Sequence, residues 1–293
     1  MKIFIFIILF FLPQICFSQM EAANWYLFDS TGITFKTGSG LPVYEYFPQS
    51  QAVAVPDVIT LSDKSGNLLF YGYYDRLFNR SHRQIESIHN GLPGSYIADN
   101  SYISFKHPGR KHLYSIFYIM DDQTWIISGD GYLSYLLLEL NYEKGIEKVI
   151  KKHIRVHGMR FFAPVPATMH ANNRDVWLVA HDTSNCFYSF RVTEKGIEKP
   201  VISIDDFAFT WRKDYMQDMV FSSDGKKLAI NYYNYRDRGS VIKLYSFDKN
   251  TGKVEKRFTL VHEKQKKVHT WLSGCSNFEF SPNGSKFYYV LNY

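Results

Sequence analysis

Short apolar, aromatic-rich runs alternate with glycine-containing polar turns along the chain, and the alternation has a long period. Phe221-Ser-Ser-Asp-Gly-Lys-Lys-Leu-Ala-Ile230 returns 59 residues later as Phe280-Ser-Pro-Asn-Gly-Ser-Lys-Phe-Tyr-Tyr289. Each copy reads as a strand, a tight turn and a second strand: glycine supplies the positive φ the turn needs, and Asp or Asn tolerates a left-handed conformation before it. Looser copies begin at Leu61, His107 and Ala171. A hairpin recurring roughly every 45–60 residues predicts an all-β chain folded as a β-propeller of four-stranded blades, about five of them visible and the last incomplete. No apolar period of 3.6 residues is sustained, so no long helix is expected.

In chain order, Asn24–Phe28 and Ile33–Lys36 read as two short strands, and Gly38–Pro42 breaks the pattern. Blade one takes Ala52–Leu61, Leu68–Tyr73 and a strand near Arg76–Asn79. Blade two takes Tyr102–Phe105, His112–Met120, Tyr132–Leu140 and an outer strand Ile146–Val156. Blade three takes Val165–His170, Val176–Ala180 and Phe187–Val192. Its turn Thr193–Lys199 reuses the Lys-Gly-Ile-Glu-Lys of residues 144–148. Blade four takes Asp218–Phe221, Leu228–Tyr233, Val241–Phe247 and Val254–Val261, and blade five begins at Asn277 with two strands before Tyr293. A propeller removes exposed sheet edges by mating strands from its two ends. The favoured expectation is a chain that stops short of the closing strands; the alternative has Asn24–Lys36 supplying the outer strands of blade five.

The N-terminus changes the picture. Lys2 is followed by ten apolar residues, Ile3–Leu12, then Pro13 and the approach Cys16-Phe17-Ser18. This is the pattern of a cleaved signal peptide, residues 1–18, and is too short for a transmembrane anchor, which needs about 20 apolar residues. The mature chain, 19–293, is expected to be one exported propeller domain, secreted, periplasmic or at the cell surface. Two cysteines then remain, Cys186 and Cys275, in different blades, and isolated thiols are expected over a disulfide. The formal charge of +6 comes from lysines scattered over turns, without the patch or stripe that nucleic acid requires. The aromatic fraction, 17% with 22 Tyr and 24 Phe, suits pleated, half-buried surfaces.

Several phrases in order carry a resemblance: Asn24-Trp-Tyr-Leu-Phe, Asp63-Lys-Ser-Gly-Asn-Leu-Leu-Phe-Tyr, Asn79-Arg-Ser-His, Met169-His-Ala-Asn-Asn-Arg-Asp-Val-Trp-Leu-Val-Ala-His and Phe221-Ser-Ser-Asp-Gly-Lys-Lys-Leu-Ala. Together they resemble the N-terminal WD-like propeller region of large secreted proteins of gliding-type bacteria, which carry PKD-type domains and a type IX sorting domain. The Phe-Ser-(Ser/Pro)-(Asp/Asn)-Gly phrases are also similar to TolB-like repeats. The resemblance implies export, a propeller and a surface setting; it implies no reaction and no catalytic residue.

The motifs of the common catalytic classes are missing: no Gly-x-Ser-x-Gly, His-Glu-x-x-His, P-loop or Rossmann glycine pattern occurs. His153 and His157 lie on an alternating strand, where a solvated outer position outweighs a metal site. His170 and His181 flank the Trp177 strand, and a tie between strand and loop outweighs an acid–base role. Asp57, Asp121, Asp122 and Asp182 are loop carboxylates whose separation the sequence leaves open. Asp224 and Asn283 read as turn formers. Loops joining the second and third strands of successive blades should emerge on one face. They hold Tyr74 and Asp75, then Trp125, then His181 and Asp182, then Tyr233, Tyr235 and Arg236, residue types that carry binding energy on a rigid scaffold. The expected function is therefore an exported, non-enzymatic binding or scaffold module whose partner is a protein or glycan at the cell surface, with no catalytic residue, cofactor, metal, nucleic acid or transmembrane segment. The rivals are a glycan hydrolase or lyase at the central channel, and a structural spacer or fragment of a larger surface protein. Carboxylates with a histidine at the channel mouth would favour the enzyme; an aromatic surface would favour the binder.

Overall fold

The computed structural model describes residues 24–26, 31–35, 41–46, 58–73, 76–87, 102–120, 130–205, 214–234, 239–262 and 274–292. The described residues contain strands, turns and no helix. A first antiparallel sheet comprises β1 (Asn24–Tyr26), β2 (Thr31–Thr34) and β3 (Val43–Tyr46) in that order. Five blades follow. Blade one is β4 (Val58–Ser62), β5 (Leu68–Tyr73), β6 (Arg76–Asn79) and β7 (Gln84–Ser87). Blade two is β8 (Ile103–Lys106), β9 (Leu113–Met120), β10 (Asp130–Asn141) and β11 (Ile146–Phe162). Blade three is β12 (Ala167–Met169), β13 (Val176–His181) and β14 (Cys186–Thr193), with β15 (Gly196–Ile197) and β16 (Val201–Ile204) both pairing β14. Blade four is β17 (Asp214–Phe221), β18 (Lys227–Asn234), β19 (Gly239–Phe247) and β20 (Val254–His262). Blade five is the pair β21 (Gly274–Phe280) and β22 (Phe287–Asn292). Every pairing is antiparallel and, apart from β14 with β16, between strands consecutive in sequence, the up-and-down meander of a propeller blade.

Each strand is apolar on both faces where it is sandwiched between blades, so β13 is buried at all six positions. The core is accordingly divided into clusters between successive blades. Ile59, Phe70 and Leu77 of blade one meet Ile116, Tyr118, Leu136 and Leu138 of blade two. Phe117, Ile119 and Leu133 meet Leu178, Phe190 and Val192. Trp177, Val179 and Phe187 meet Met219, Ile230, Tyr232 and Tyr245. Ala229 with Val220 meets Phe278, Phe280 and Phe287. Burial of that many large side chains, at about 1.5–3 kcal/mol each, is what sets blade against blade.

The turns are as their residues predict. Gly225 and Gly284 have φ of +69° and +64°, and in both hairpins the serine N–H (Ser222, Ser281) donates to the lysine carbonyl (Lys227, Lys286) at 2.9 Å. Asp224 Oδ1 accepts from Ser222 Oγ at 2.6 Å and Lys226 N at 3.0 Å, and Asn283 Oδ1 from Ser285 N at 3.1 Å. The repeated phrase is one hairpin used twice. The turns also knit neighbouring blades: Trp177 Nε1 donates to Lys249 O at 2.9 Å across the blade three–four boundary, and Ala171 N to the same carbonyl at 3.1 Å.

Three expectations need correction. Asn24–Lys36 does not complete blade five: β1 and β2 pair with each other and with β3, and Asn24 Nδ2 donates to Ser62 Oγ at 2.8 Å and Gly66 O at 2.9 Å of blade one. Strands β3, β7 and β16 were not foreseen because they are four residues long with mixed polarity. His153 is not a solvated strand residue: it holds φ +54° at an irregular stretch of β11, and its Nδ1 lies 3.0 Å from the hydroxyl of Tyr118. His157 packs its ring against Phe161, Tyr188 and Phe190.

Candidate functional site

The inner strands of the sheets border a central cavity of about 1410 Å³, lined from β1, β8, β12, β17, β21 and β22 and from the 163–169 segment. Its tryptophan and tyrosines come from sheets far apart in sequence: Trp25 from the first, Tyr102 from the approach to β8, and Tyr288 and Tyr289 from the last. Trp25, Tyr288 and Tyr289 are 50%, 57% and 41% exposed, although blade interiors elsewhere hold rings of this size fully buried. Tyr288 and Tyr289 are consecutive on β22, so their rings leave opposite faces of this two-stranded sheet, and both stay exposed.

Two carboxylates share this wall. Asp218 lies within β17 between buried Met216 and Met219, and Glu279 lies on β21, paired in register with Tyr288. Burial pushes the Asp218 carboxyl up to about 6, and the charge of Glu279 pushes the same way. The Met219 N–H, which donates to Asp218 Oδ1 at 2.8 Å, works against both. A strand interior that keeps a carboxyl at such a cost is a place to look for function. The cavity's hairpin end is capped by Asp224, whose carboxylate is engaged in its own turn, and by Lys249, whose Nζ donates to the Asp224 carbonyl at 3.1 Å. No histidine is among the described residues lining the cavity.

A second polar cluster is sealed between blades three and four. Asp205 accepts from the hydroxyls of Tyr245 (2.9 Å to Oδ2) and Tyr232 (3.1 Å). His181 Nε2 lies 3.3 Å from Asp205 Oδ2, off line for a hydrogen bond, and Lys243 Nζ lies 3.9 Å from Oδ1. All five side chains are within the core. Burial raises the Asp205 carboxyl, but His181, Lys243 and Tyr245 outweigh it and hold it below its ordinary value. This cluster is closed to solvent and serves to lock two blades.

The residues expected on a loop face are distributed as follows. His181 and Asp182 are fully buried: the His181 ring packs on Phe187 and Tyr232 at 4.7 and 5.9 Å. Asp182 Oδ1 accepts from Ser184 N and Cys186 N at 2.9 and 2.8 Å, holding the β13–β14 turn. They stand beneath the loop rather than on it. Tyr233 lies on β18, paired with Tyr215, but its side chain lies outside the described residues, as do Tyr74, Asp75, Trp125, Tyr235 and Arg236. Asp57, Asp121 and Asp122 lie outside them too. His170 is a strand-to-turn tie: its Nδ1 accepts from Asn172 N at 2.9 Å and its ring stacks on Trp177. Cys186 is a free, partly buried thiol. The described residues hold no group of three or more metal-type ligands, and no helix among them is long and apolar enough to cross a membrane.

Sequence reasoning missed Asp218 and Glu279. The available signal was a carboxylate set among apolar residues of an inner strand, in Met216–Phe221, where Gln217 is the other polar residue, and in Phe278–Phe280.

No protein-family model matches the chain, and no curated protein matches it. Among solved structures it is similar to the C-terminal WD40 domain of Sif2, at 11% identity and a TM-score of 0.33, over 89% of this chain and 75% of that one. It is also similar to a chain of a mitotic checkpoint complex, at 9% identity and a TM-score of 0.35, over 89% and 78%. At these values the propeller assignment rests on the meander topology and the inter-blade cores described above.

Proposed function

We propose that this chain is an exported, non-enzymatic propeller that works as a binding module at the cell surface and takes its ligand into the central cavity. The observation that carries this reading is the aromatic lining: Trp25, Tyr288 and Tyr289 stand exposed around a cavity large enough for a peptide segment or a short glycan. Aromatic side chains held on rigid strands bind with little loss of conformational freedom and are the residue types that dominate binding energy. The signal-like stretch Lys2–Ser18 supports export.

The test is capture of surface material by the purified chain and by a Trp25→Ala/Tyr289→Ala variant. Both side chains are solvent-exposed, so the variant should keep its melting temperature within a few degrees and lose capture. Undiminished capture by a folded variant would move the binding surface elsewhere, with the loops that carry Trp125 and Tyr235 next in line.

A second reading has one observation in its favour. Asp218, with its carboxyl raised to about 6, shares a wall with Glu279, and a raised carboxyl beside a second carboxyl group is an arrangement that glycan cleavage uses. Release of reducing ends from surface polysaccharides, lost in Asp218→Asn, would establish that reading over simple binding.

A further inference from the structure

We infer that the central cavity selects a cationic group, an amino or guanidinium, on the ligand it binds. The inference rests on the binding reading above and concerns the same cavity. The formal charge of the whole chain is +6, so its average field repels cations. Yet the part of the cavity wall formed by β17, β21 and β22 reverses that sign. Asp218 and Glu279 supply two carboxylates there, and Tyr288, paired in register with Glu279, adds an aromatic ring to the same wall.

An ammonium or guanidinium is the chemical group that gains from both features at once. It pairs with a carboxylate, and it is attracted to the negative face of a tyrosine or tryptophan ring. An anion would meet two like charges, and a neutral sugar would leave the desolvation of Asp218 uncompensated. The fold already shows the pairing of cation and ring elsewhere, with Arg155 3.6 Å above the Tyr132 ring and Arg80 4.0 Å above the Tyr142 ring. Lys249, the lysine among the described residues of the wall, sits at the hairpin end and donates to the Asp224 carbonyl.

The groups that face Asp218 set a pH dependence. Its strand partner β18 presents Asn231 opposite it, β12 of the neighbouring blade brings Ala167–Met169 to the wall without a charge, and β21 presents Glu279. Asp218 is ionised above about 6 and neutral well below it. Cation binding is therefore strong at pH 7.5, weakens as pH falls through 6 to 5, and is accompanied by proton release near pH 6.

The experiment is isothermal titration of the purified chain with a blocked tetralysine peptide, its Nε-acetylated counterpart and the diamine cadaverine, at pH 7.5 and 5.0. The peptide is expected to bind at pH 7.5 at least about ten-fold more tightly than its acetylated form, since a charge-assisted contact is worth roughly that factor. Asp218→Asn should lose about ten-fold, and Glu279→Gln, an exposed substitution that leaves the fold alone, a smaller factor in the same direction. Cadaverine binding as well would identify a small amine as sufficient; binding of the peptide alone would identify a polypeptide. Equal binding of charged and acetylated peptides, abolished by Trp25→Ala, would overturn the selectivity for cations while leaving the cavity as the binding site. No binding of any probe would overturn the inference as well; the binding reading itself stands or falls separately, on capture by the Trp25→Ala/Tyr289→Ala variant.

Discussion

Asp218→Asn should make the protein more stable and less able to bind. The carboxyl sits at about 6 in the fold against an ordinary value of 3.8, so the folded state holds this proton more tightly than the unfolded chain. A raised carboxyl favours the fold when protonated and opposes it when ionised. The cost to the wild type is complete above about pH 6 and fades as pH falls toward 4. At 1.36 kcal/mol per pH unit, the difference between about 6 and 3.8 amounts to about 3 kcal/mol at pH 7.5 and to about 0.5 kcal/mol at pH 4. Asparagine keeps the shape and an oxygen for the Met219 N–H, so most of that cost should be recovered. For a domain of this size the gain corresponds to a melting temperature higher by roughly 5–10 °C at neutral pH. Urea denaturation at pH 7.5 and pH 4 reads both numbers. A variant no more stable than wild type at pH 7.5, or equally more stable at both pH values, would refute the reasoning that desolvation of this carboxylate is the cause.

Other consequences are as concrete. Asp205→Ala removes the carboxylate that faces the buried Lys243 ammonium and accepts from the hydroxyls of Tyr232 and Tyr245. It should cost roughly 3–5 kcal/mol in chemical denaturation, and a loss under 1 kcal/mol would contradict the tie between blades three and four. Because the Asp205 carboxyl is held below its ordinary value, its contribution is present above that value and lost as pH falls through the folded one, so acid should weaken this boundary below about pH 4. Gly225→Ala places a methyl 2.0 Å from Thr168 Oγ1 at a φ of +69°, and should destabilise by about 1–3 kcal/mol; a neutral result would show that blades three and four do not meet there. Trp177→Phe removes the hydrogen bond to the Lys249 carbonyl and part of the ring that packs on Gly252, for a loss of about 1–3 kcal/mol in the same assay.

The division between what could and could not be read from the sequence follows from range. The hairpins Phe221–Ile230 and Phe280–Tyr289 were legible because the turn, its Asp or Asn, its glycine and the flanking strands are neighbours in sequence and set their own geometry. Blade three lacked its fourth strand in the sequence reading because Val201–Ile204 takes its place through pairing with β14, with no strong alternation of its own. His181 and Asp182 were placed on a loop face by the logic of connections. They are buried because β13 runs between two blades to its last residue, and no local pattern distinguishes a strand's final position from the first of an exposed loop. The cavity was illegible for the deepest reason: Trp25, Asp218 and Tyr288 become neighbours only when the first and last sheets come to the same channel. The sequence nevertheless marks two of the polar sites. Lys243 interrupts Val241–Phe247 and Asp218 interrupts Met216–Phe221; a charge in a strand buried on both faces must be paired, as Lys243 is with Asp205, or strained, as Asp218 is.

The central claim is that ligand enters the channel rather than resting on the blade rims. A photo-crosslinking residue at Met169, which lines the cavity and is 37% exposed, can be compared with the same residue at Ile202, on outer strand β16 and 56% exposed. Irradiation on cell-surface material should yield an adduct at position 169 and none at 202. An adduct at 202 with none at 169 would place the ligand on the rim and contradict the account.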